Sequence, residues 1–178
     1  MARQVVWTTK MVDEAIEKIN DGFILKMHEM PFYEKTIGLR KPHVIFKMTQ
    51  QEIDEYIKCK TDIHHFAENY CYIKGEKGDP VKLELRDYQK EILDNFFHHK
   101  FNILMASRQV GKTICSSIMI LHFVLFNNTK NVLVTANMLD TAVEILDRMR
   151  EIYQQLPFFL QKGILNWNQK MMVFENKS

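Results

Sequence analysis

Short apolar runs alternate with longer helical patterns through the second half of the chain. Residues 101–105 and 131–136 are apolar runs of strand length, and residues 114–126 form an apolar run of helix length. From residue 139 to residue 156, apolar side chains recur every three or four positions, as on one face of an amphipathic helix. This alternation predicts an α/β fold in which helices flank a parallel sheet.

The first part of the chain has a different pattern, with short helical stretches separated by irregular segments. Thr49 and Glu52 have the spacing of a capping box, which predicts a short helix from about residue 50. Further along, Asp87 is expected to cap a helix whose apolar side carries Tyr88 and Ile92. The polar, glycine-containing stretch 74–80 is the best candidate for a boundary. We therefore predict a mostly helical, lid-like segment at 1–79 and a sheet-containing core at 80–178.

The segment from Ala106 to Thr113 follows the first apolar run and precedes the apolar helix. It fits the phosphate-binding pattern G-x-x-x-x-G-K-[ST], with alanine in place of the first glycine. A strand followed by such a loop and a helix points backbone N–H groups and a helix N-terminus at one position, where a polyphosphate binds. An ordinary strand–turn–helix joint is the alternative. The flanking pattern favours a P-loop NTPase core that binds a nucleoside triphosphate.

Each residue type in the loop has a chemical reason to be there. Lys112 would place its ammonium against the β- and γ-phosphates, and the Thr113 hydroxyl would ligate Mg²⁺. Arg108 would reach the γ-phosphate and stabilise charge in the transition state, unless it pairs with a carboxylate elsewhere. Backbone N–H groups complete the predicted site, which consists of Ser107, Arg108, Gln109, Val110, Gly111, Lys112 and Thr113.

Gln89 lies about two dozen residues before Lys112, a separation found in many helicase-type ATPases. Its amide presents a donor and an acceptor that match the N6 and N7 positions of adenine. The alternative is a solvated glutamine near a helix start. With the loop beside it in the sequence, Gln89 is predicted to contact the base of ATP.

Composition limits the remaining possibilities. With 46% hydrophobic and 26% charged residues the chain is typical of a globular protein, and its net charge of +2 neither supports nor excludes a DNA partner. No apolar run approaches the length that spans a bilayer, and no signal-peptide pattern follows Met1, so we expect an intracellular protein with no membrane partner. The histidine-rich stretch between Cys59 and Cys71 has no common zinc-finger spacing and is interpreted as packed or surface side chains.

The apolar run 171–174 is followed by Glu175 and then by Asn176. An ATPase sheet needs an acidic strand end to hold Mg²⁺ and orient water, and this run is a candidate for that strand. The usual aspartate is missing, and asparagine stands where a catalytic glutamate would help. We therefore predict a plain hairpin strand here and an incomplete sheet.

These motifs together resemble the large terminase subunit of tailed bacteriophages. The resemblance runs from about Phe66 to Phe174 and is most specific in the Ser-Arg-Gln-aliphatic-Gly-Lys-Thr loop. Other segments that carry it are Phe66…Asn69-Tyr70, Leu85-Arg86-Asp87-Tyr88-Gln89, Glu144-Ile145-Leu146-Asp147-Arg148 and Leu156-Pro157-Phe158-Phe159-Leu160…Gly163-Ile164.

The resemblance implies an ATP-driven motor that moves double-stranded DNA through a portal protein into an empty prohead. It implies Mg²⁺ as cofactor, a small terminase subunit as partner, and a homo-oligomeric ring that works in the host cytoplasm and at the portal vertex. By the same resemblance, Gln89 contacts adenine and Arg108 senses the γ-phosphate, with Arg108 and Lys112 as the catalytic pair.

The family's acidic strand, catalytic glutamate and nuclease domain have no counterpart in these residues, and we expect them beyond Ser178. That would make the chain an N-terminal portion of the motor, weak or inactive as an ATPase by itself. Two alternatives stay open: a helicase-type translocase, and a module that binds ATP without hydrolysing it.

Overall fold

The computed structural model describes residues 5–23, 25, 30–75, 78–108 and 110–178. Helices dominate this part of the chain, and a short 3-10 helix covers Tyr33–Lys35. The α-helices are α1 (Thr9–Asn20), α2 (Gln50–Thr61), α3 (Ile63–Tyr70), α4 (Asp87–His98), α5 (Lys112–Phe126) and α6 (Leu139–Gln155).

The strands form small two-stranded sheets. The short strands β1 (Val6–Trp7) and β2 (Ile45–Phe46) pair in parallel. β3 (Tyr72–Lys74) and β4 (Pro80–Lys82) form an antiparallel hairpin, so the predicted boundary near residue 80 falls at the start of β4. β5 (Ile164–Asn168) and β6 (Met171–Phe174) form a second antiparallel hairpin with a register shift between Ile164 and Asn166.

Local capping explains where the first helices begin. The Thr49 hydroxyl accepts a hydrogen bond from the Glu52 N–H, and the Glu52 carboxylate accepts one from the Thr49 N–H, so the predicted capping box is confirmed. The Asp62 carboxylate accepts from two N–H groups at the start of α3. At α4 the predicted cap is one residue off, since Arg86 and not Asp87 is the N-cap residue.

The main core joins both parts of the chain. Phe66 of α3, Leu93 of α4, Ile118 of α5 and Tyr153 of α6 are each fully buried in one cluster, which also contains Phe174 of β6. α5 is apolar on nearly all sides because it lies among the other helices, as expected for a buried helix. A smaller cluster forms around α1.

In the described residues the expected parallel sheet flanked by helices is not formed, so the prediction of two buried strands is wrong and the P-loop NTPase core stays a prediction. Residues 101–105 and 131–136 belong to no strand in the described structure. Phe101, Ile103, Met105 and Leu133 are 85%, 94%, 91% and 86% exposed. A strand is stable only when a neighbour satisfies its backbone groups and covers its side chains, and neither segment has such a neighbour here.

The other secondary-structure predictions for the second half are confirmed. Helices occupy the stretches predicted after Arg86, after the loop and after residue 138. The run 171–174 is an antiparallel hairpin strand, which is the interpretation that we preferred to an acidic strand of a parallel sheet. None of the helices in the described part of the chain has the length and apolar character needed to span a bilayer.

Candidate functional site

The predicted phosphate-binding loop ends at Gly111, which is the N-cap of α5. Gly111 has φ 80° and ψ 19°, the left-handed conformation that costs other residues free energy. Its carbonyl accepts from the Cys115 N–H at 3.0 Å and so begins the helix. The glycine therefore lets the chain turn from the loop directly into α5, whose N-terminal N–H groups face the loop.

The Lys112 side chain folds back over the loop that precedes it. Its ammonium donates a hydrogen bond to the carbonyl of Ala106 at 3.0 Å and another to the carbonyl of Ser107. A cation is thus held at the mouth of the loop by neutral backbone acceptors. Phosphate oxygens are stronger partners for an ammonium than carbonyls are, so a bound phosphate would compete for it.

The first turn of α5 is anchored to α6. The Ser117 hydroxyl lies 2.8 Å from the Thr113 carbonyl and 3.2 Å from the Ile145 carbonyl. Ser117 itself is fully buried, whereas Thr113 is half-buried. This contact links the backbone of the predicted Mg²⁺ ligand to a neighbouring helix.

The remaining predicted loop residues differ in their exposure. Ser107 and Arg108 are exposed, and Val110 is half-buried. Gln109 lies outside the described residues. The role of Arg108 at a γ-phosphate stays a prediction.

Gln89 is in contact with the loop. It is only 8% exposed, so the alternative of a solvated glutamine is wrong. Its Oε1 accepts from the Arg86 N–H at 3.0 Å, at the start of α4. Its Nε2 lies so close to Gly111 that a Cβ on that glycine would be 2.4 Å away. Sequence spacing predicted Gln89 as a site residue, but the spacing carried no signal of the contact with Gly111.

A cavity of about 400 Å³ opens between α4 and the loop. Tyr88 and Ile92 line it from the helix, and Leu104 to Ser107 together with Val110 line it from the loop side. The volume is within the range of small-molecule sites. Two larger cavities, of about 740 and 500 Å³, lie along α5 and do not include the loop residues.

Glu175 is far from the loop and has a structural role that the sequence analysis did not find. Its carboxylate accepts from the Gly163 N–H and from the His43 N–H, each at 2.9 Å. The next residue, Asn176, donates to the Val124 carbonyl near the end of α5. Val124 lies near the far end of α5 from Lys112, and a helix rises about 1.5 Å per residue, so its contact with Asn176 places the neighbouring Glu175 roughly 20 Å from the loop.

The cysteine and histidine stretch is accounted for by packing and ion pairs. Cys59 and Cys71 are fully buried, and burial raises the pKa of the Cys59 thiol to about 12. His65 pairs with Glu55 at 2.9 Å. Within the described ranges, no group of three or more histidine, cysteine or acidic side chains is arranged to hold a metal ion.

Comparison with protein families identifies the loop-containing part of the chain. Residues 103–178 match the family model described as terminase large subunit, T4likevirus-type, N-terminal. The matched stretch contains the loop, α5, α6 and the β5–β6 hairpin. The resemblance to the large terminase subunit of phages is thereby confirmed over these residues, and that family has a role in packaging phage DNA.

Proposed function

We propose that this chain, whose residues 103–178 match the terminase large subunit family, contains the ATP-binding site of a phage DNA-packaging motor. The observation that supports this most directly is the Lys112 ammonium held at the mouth of the loop beside the N-terminus of α5. A positive charge and free helix N–H groups at one place favour a polyphosphate.

Binding of Mg·ATP would exchange one set of partners for another. The Lys112 ammonium would leave the two loop carbonyls and bind the β- and γ-phosphate oxygens. The Thr113 hydroxyl would ligate Mg²⁺, and Arg108 would contact the γ-phosphate from the loop tip. The backbone of Ser107 to Thr113 would surround the phosphates.

The base would occupy the cavity between α4 and the loop. Tyr88 lines this cavity and is 38% exposed, so its ring can stack on a base. Gln89 follows in the sequence and borders the loop at Gly111, and its Oε1 would have to exchange the Arg86 N–H for the adenine edge when the base binds. We propose ATP as the nucleotide for this reason.

In the assembled motor, hydrolysis at this site would drive double-stranded DNA through the portal. We propose the small terminase subunit, the portal and further copies of the large subunit as partners. A helicase-type translocase is the alternative from the loop alone, and the family match favours the packaging motor.

A second candidate function for the chain by itself is ATP binding without turnover. Glu175 is the carboxylate that the sequence offered for hydrolysis, and it is bound to two backbone N–H groups about 20 Å from the loop. Hydrolysis depends on a positioned water and on charge stabilisation, so binding alone leaves most of the barrier. We expect the chain to bind ATP and to release phosphate slowly or not at all.

Calorimetry with Mg·ATP tests the site through Lys112→Ala, with the exposed Lys10→Ala on α1 as the matched control. Hydrogen bonds to a charged group contribute about 1.5–3 kcal/mol each. In the wild type, Lys112 must give up its two hydrogen bonds to carbonyls before it binds the phosphates. The net contribution of its ammonium to binding is therefore about that of one charged hydrogen bond, and Lys112→Ala should weaken Mg·ATP binding about ten- to a hundredfold. Equal affinities for two folded variants would refute the phosphate site.

A phosphate-release assay on the same samples separates the two functions. Tight binding with no release supports the non-hydrolysing module, whereas release that Lys112→Ala abolishes supports an active ATPase in this chain.

A further inference from the structure

We infer that Gln89 is a positioning residue for the phosphate-binding loop, because its side chain packs against Gly111 whichever base is bound. This inference rests on the proposed nucleotide site. It goes beyond the predicted contact of Gln89 with adenine, which concerns the base alone.

The contact is between the far end of the Gln89 side chain and the backbone of the loop. A Cβ at Gly111 would be 2.4 Å from Nε2 and 3.7 Å from Cδ of Gln89, so the amide occupies the space beside the glycine. Real Cβ atoms do not approach another heavy atom that closely. The left-handed backbone therefore favours glycine at this position, and any side chain there would also have to displace the Gln89 amide.

The amide is fixed from its other side. Gln89 Oε1 accepts from the Arg86 N–H at 3.0 Å, which ties the side chain to the start of its own helix. The Gln89 N–H in turn donates to the Arg86 carbonyl at 2.8 Å. With 8% of its surface exposed, the side chain has little room to take another rotamer. The side chain thus connects the N-terminus of α4 to the N-terminus of α5.

Gln89 contacts Gly111, the residue that sets the direction in which the loop enters α5. Gly111 immediately precedes Lys112, and its left-handed dihedral angles determine how the loop enters α5. If Gln89 is shortened, Gly111 gains conformational freedom and the N–H groups and the Lys112 ammonium are less well aligned. Alignment lost before binding must be recovered on binding, which lowers affinity for the phosphates.

The effect is therefore expected for ligands that have no base. Inorganic tripolyphosphate carries the phosphate chain of ATP without adenine, so it senses the loop and not the adenine contact. Gln89→Ala should weaken binding of Mg·tripolyphosphate, Mg·ATP and Mg·GTP, each by about two- to tenfold, as expected when a loosened loop must be ordered on binding. Any adenine contact adds a further loss for ATP only.

Gln89→Met separates the two roles because methionine has nearly the length and volume of glutamine but no amide. It should restore tripolyphosphate affinity toward that of the wild type and leave ATP and GTP bound equally. Gln89→Asn, which shortens the side chain and keeps the amide, should behave like Gln89→Ala, and it replaces that variant if the alanine does not fold.

Glu52→Ala is the matched control for helix capping. Glu52 caps α2 as Gln89 caps α4, since its carboxylate accepts from the Thr49 N–H at 2.7 Å. This variant should lower the melting temperature without changing tripolyphosphate affinity. The amide resonance of Gly111 in an ¹H–¹⁵N spectrum should move in Gln89→Ala and Gln89→Asn and stay in place in Glu52→Ala.

Calorimetric titration of each variant with Mg·tripolyphosphate decides the matter. An unchanged tripolyphosphate affinity in folded Gln89→Ala or Gln89→Asn would overturn the positioning role, even if the ATP-to-GTP ratio fell. A wild-type chain that binds neither tripolyphosphate nor ATP would overturn the nucleotide site itself, which is a different result.

Discussion

The carboxylate of Glu175 offers a test of whether the last strand is catalytic or structural. In the structure it joins Gly163, which precedes β5, to His43 in the segment before β2, through two hydrogen bonds of 2.9 Å. Gly163 is tightly packed there, since a Cβ on it would be 2.6 Å from both Glu175 Oε2 and the Cα of Pro42. Glu175→Gln keeps the shape of the side chain and removes one acceptor and the charge.

The cost of this change can be worked from the contacts. A glutamine oxygen can accept from only one of the two N–H groups, and the other then faces an amide donor. Losing one bond to a charged acceptor costs about 1.5 kcal/mol at a half-buried site, and weakening the other costs about 0.5 kcal/mol. Burial lowers the pKa of the Arg40 guanidinium, and the negative charge of Glu175 opposes that shift. Removing this charge therefore also destabilises the folded state. We expect about 2 kcal/mol in total.

Urea and thermal unfolding of Glu175→Gln measure this loss. For a chain of this size 1 kcal/mol corresponds to about 2–4 °C, so the melting temperature should fall by about 4–8 °C. Glu84→Gln is the control, since Glu84 is an exposed carboxylate in the segment before α4. Its melting temperature should match that of the wild type within about 1 °C.

Two results would contradict this reasoning. One is an unchanged stability of Glu175→Gln, which would mean that the two N–H groups find other partners. The other is steady ATP hydrolysis by the wild-type chain that Glu175→Gln abolishes at equal fold content, which would make residues 171–175 the acidic strand after all.

Two further predictions concern the buried histidine and the exposed strand-like segments. Burial lowers the pKa of His122 below its usual 6.5, so neutral His122 contributes stability that is present above pH 6.5 and is lost as the pH falls through the folded-state pKa. His122→Gln should therefore make the urea midpoint depend less on pH between pH 7 and 5. The exposed His99→Gln is the control and should leave the pH dependence unchanged. Ile103 is 94% exposed in a segment that pairs with no strand, so Ile103→Lys should reduce concentration-dependent association in sedimentation experiments. Ile57→Lys, at a 53% exposed site on α2, should leave the association unchanged. An equal effect of both variants would mean that the segment around Ile103 is not the surface through which the chains associate.

The sequence by itself determined the helices of the second half and the last hairpin strand. These depend on local chemistry, which is readable without tertiary contacts. Apolar residues at a helical period specify α6, a glycine before Lys112 allows the left-handed turn into α5, and a short apolar run beside a polar turn specifies β6. The loop motif also carried the resemblance to the large terminase subunit, which the match over residues 103–178 confirms for that part of the chain.

The tertiary structure decided everything that depends on a distant partner. An apolar run such as 101–105 has the composition of a buried strand, but it becomes one only when a neighbouring strand binds its backbone, and the described fold gives it none. Gln89 could be predicted as a site residue, yet only the packing of α4 against the loop put its amide beside Gly111. Glu175 could be read as catalytic or structural, and its bonds to Gly163 and His43 decided for structure, because hydrogen-bond partners 12 and 132 residues away leave no trace in local sequence.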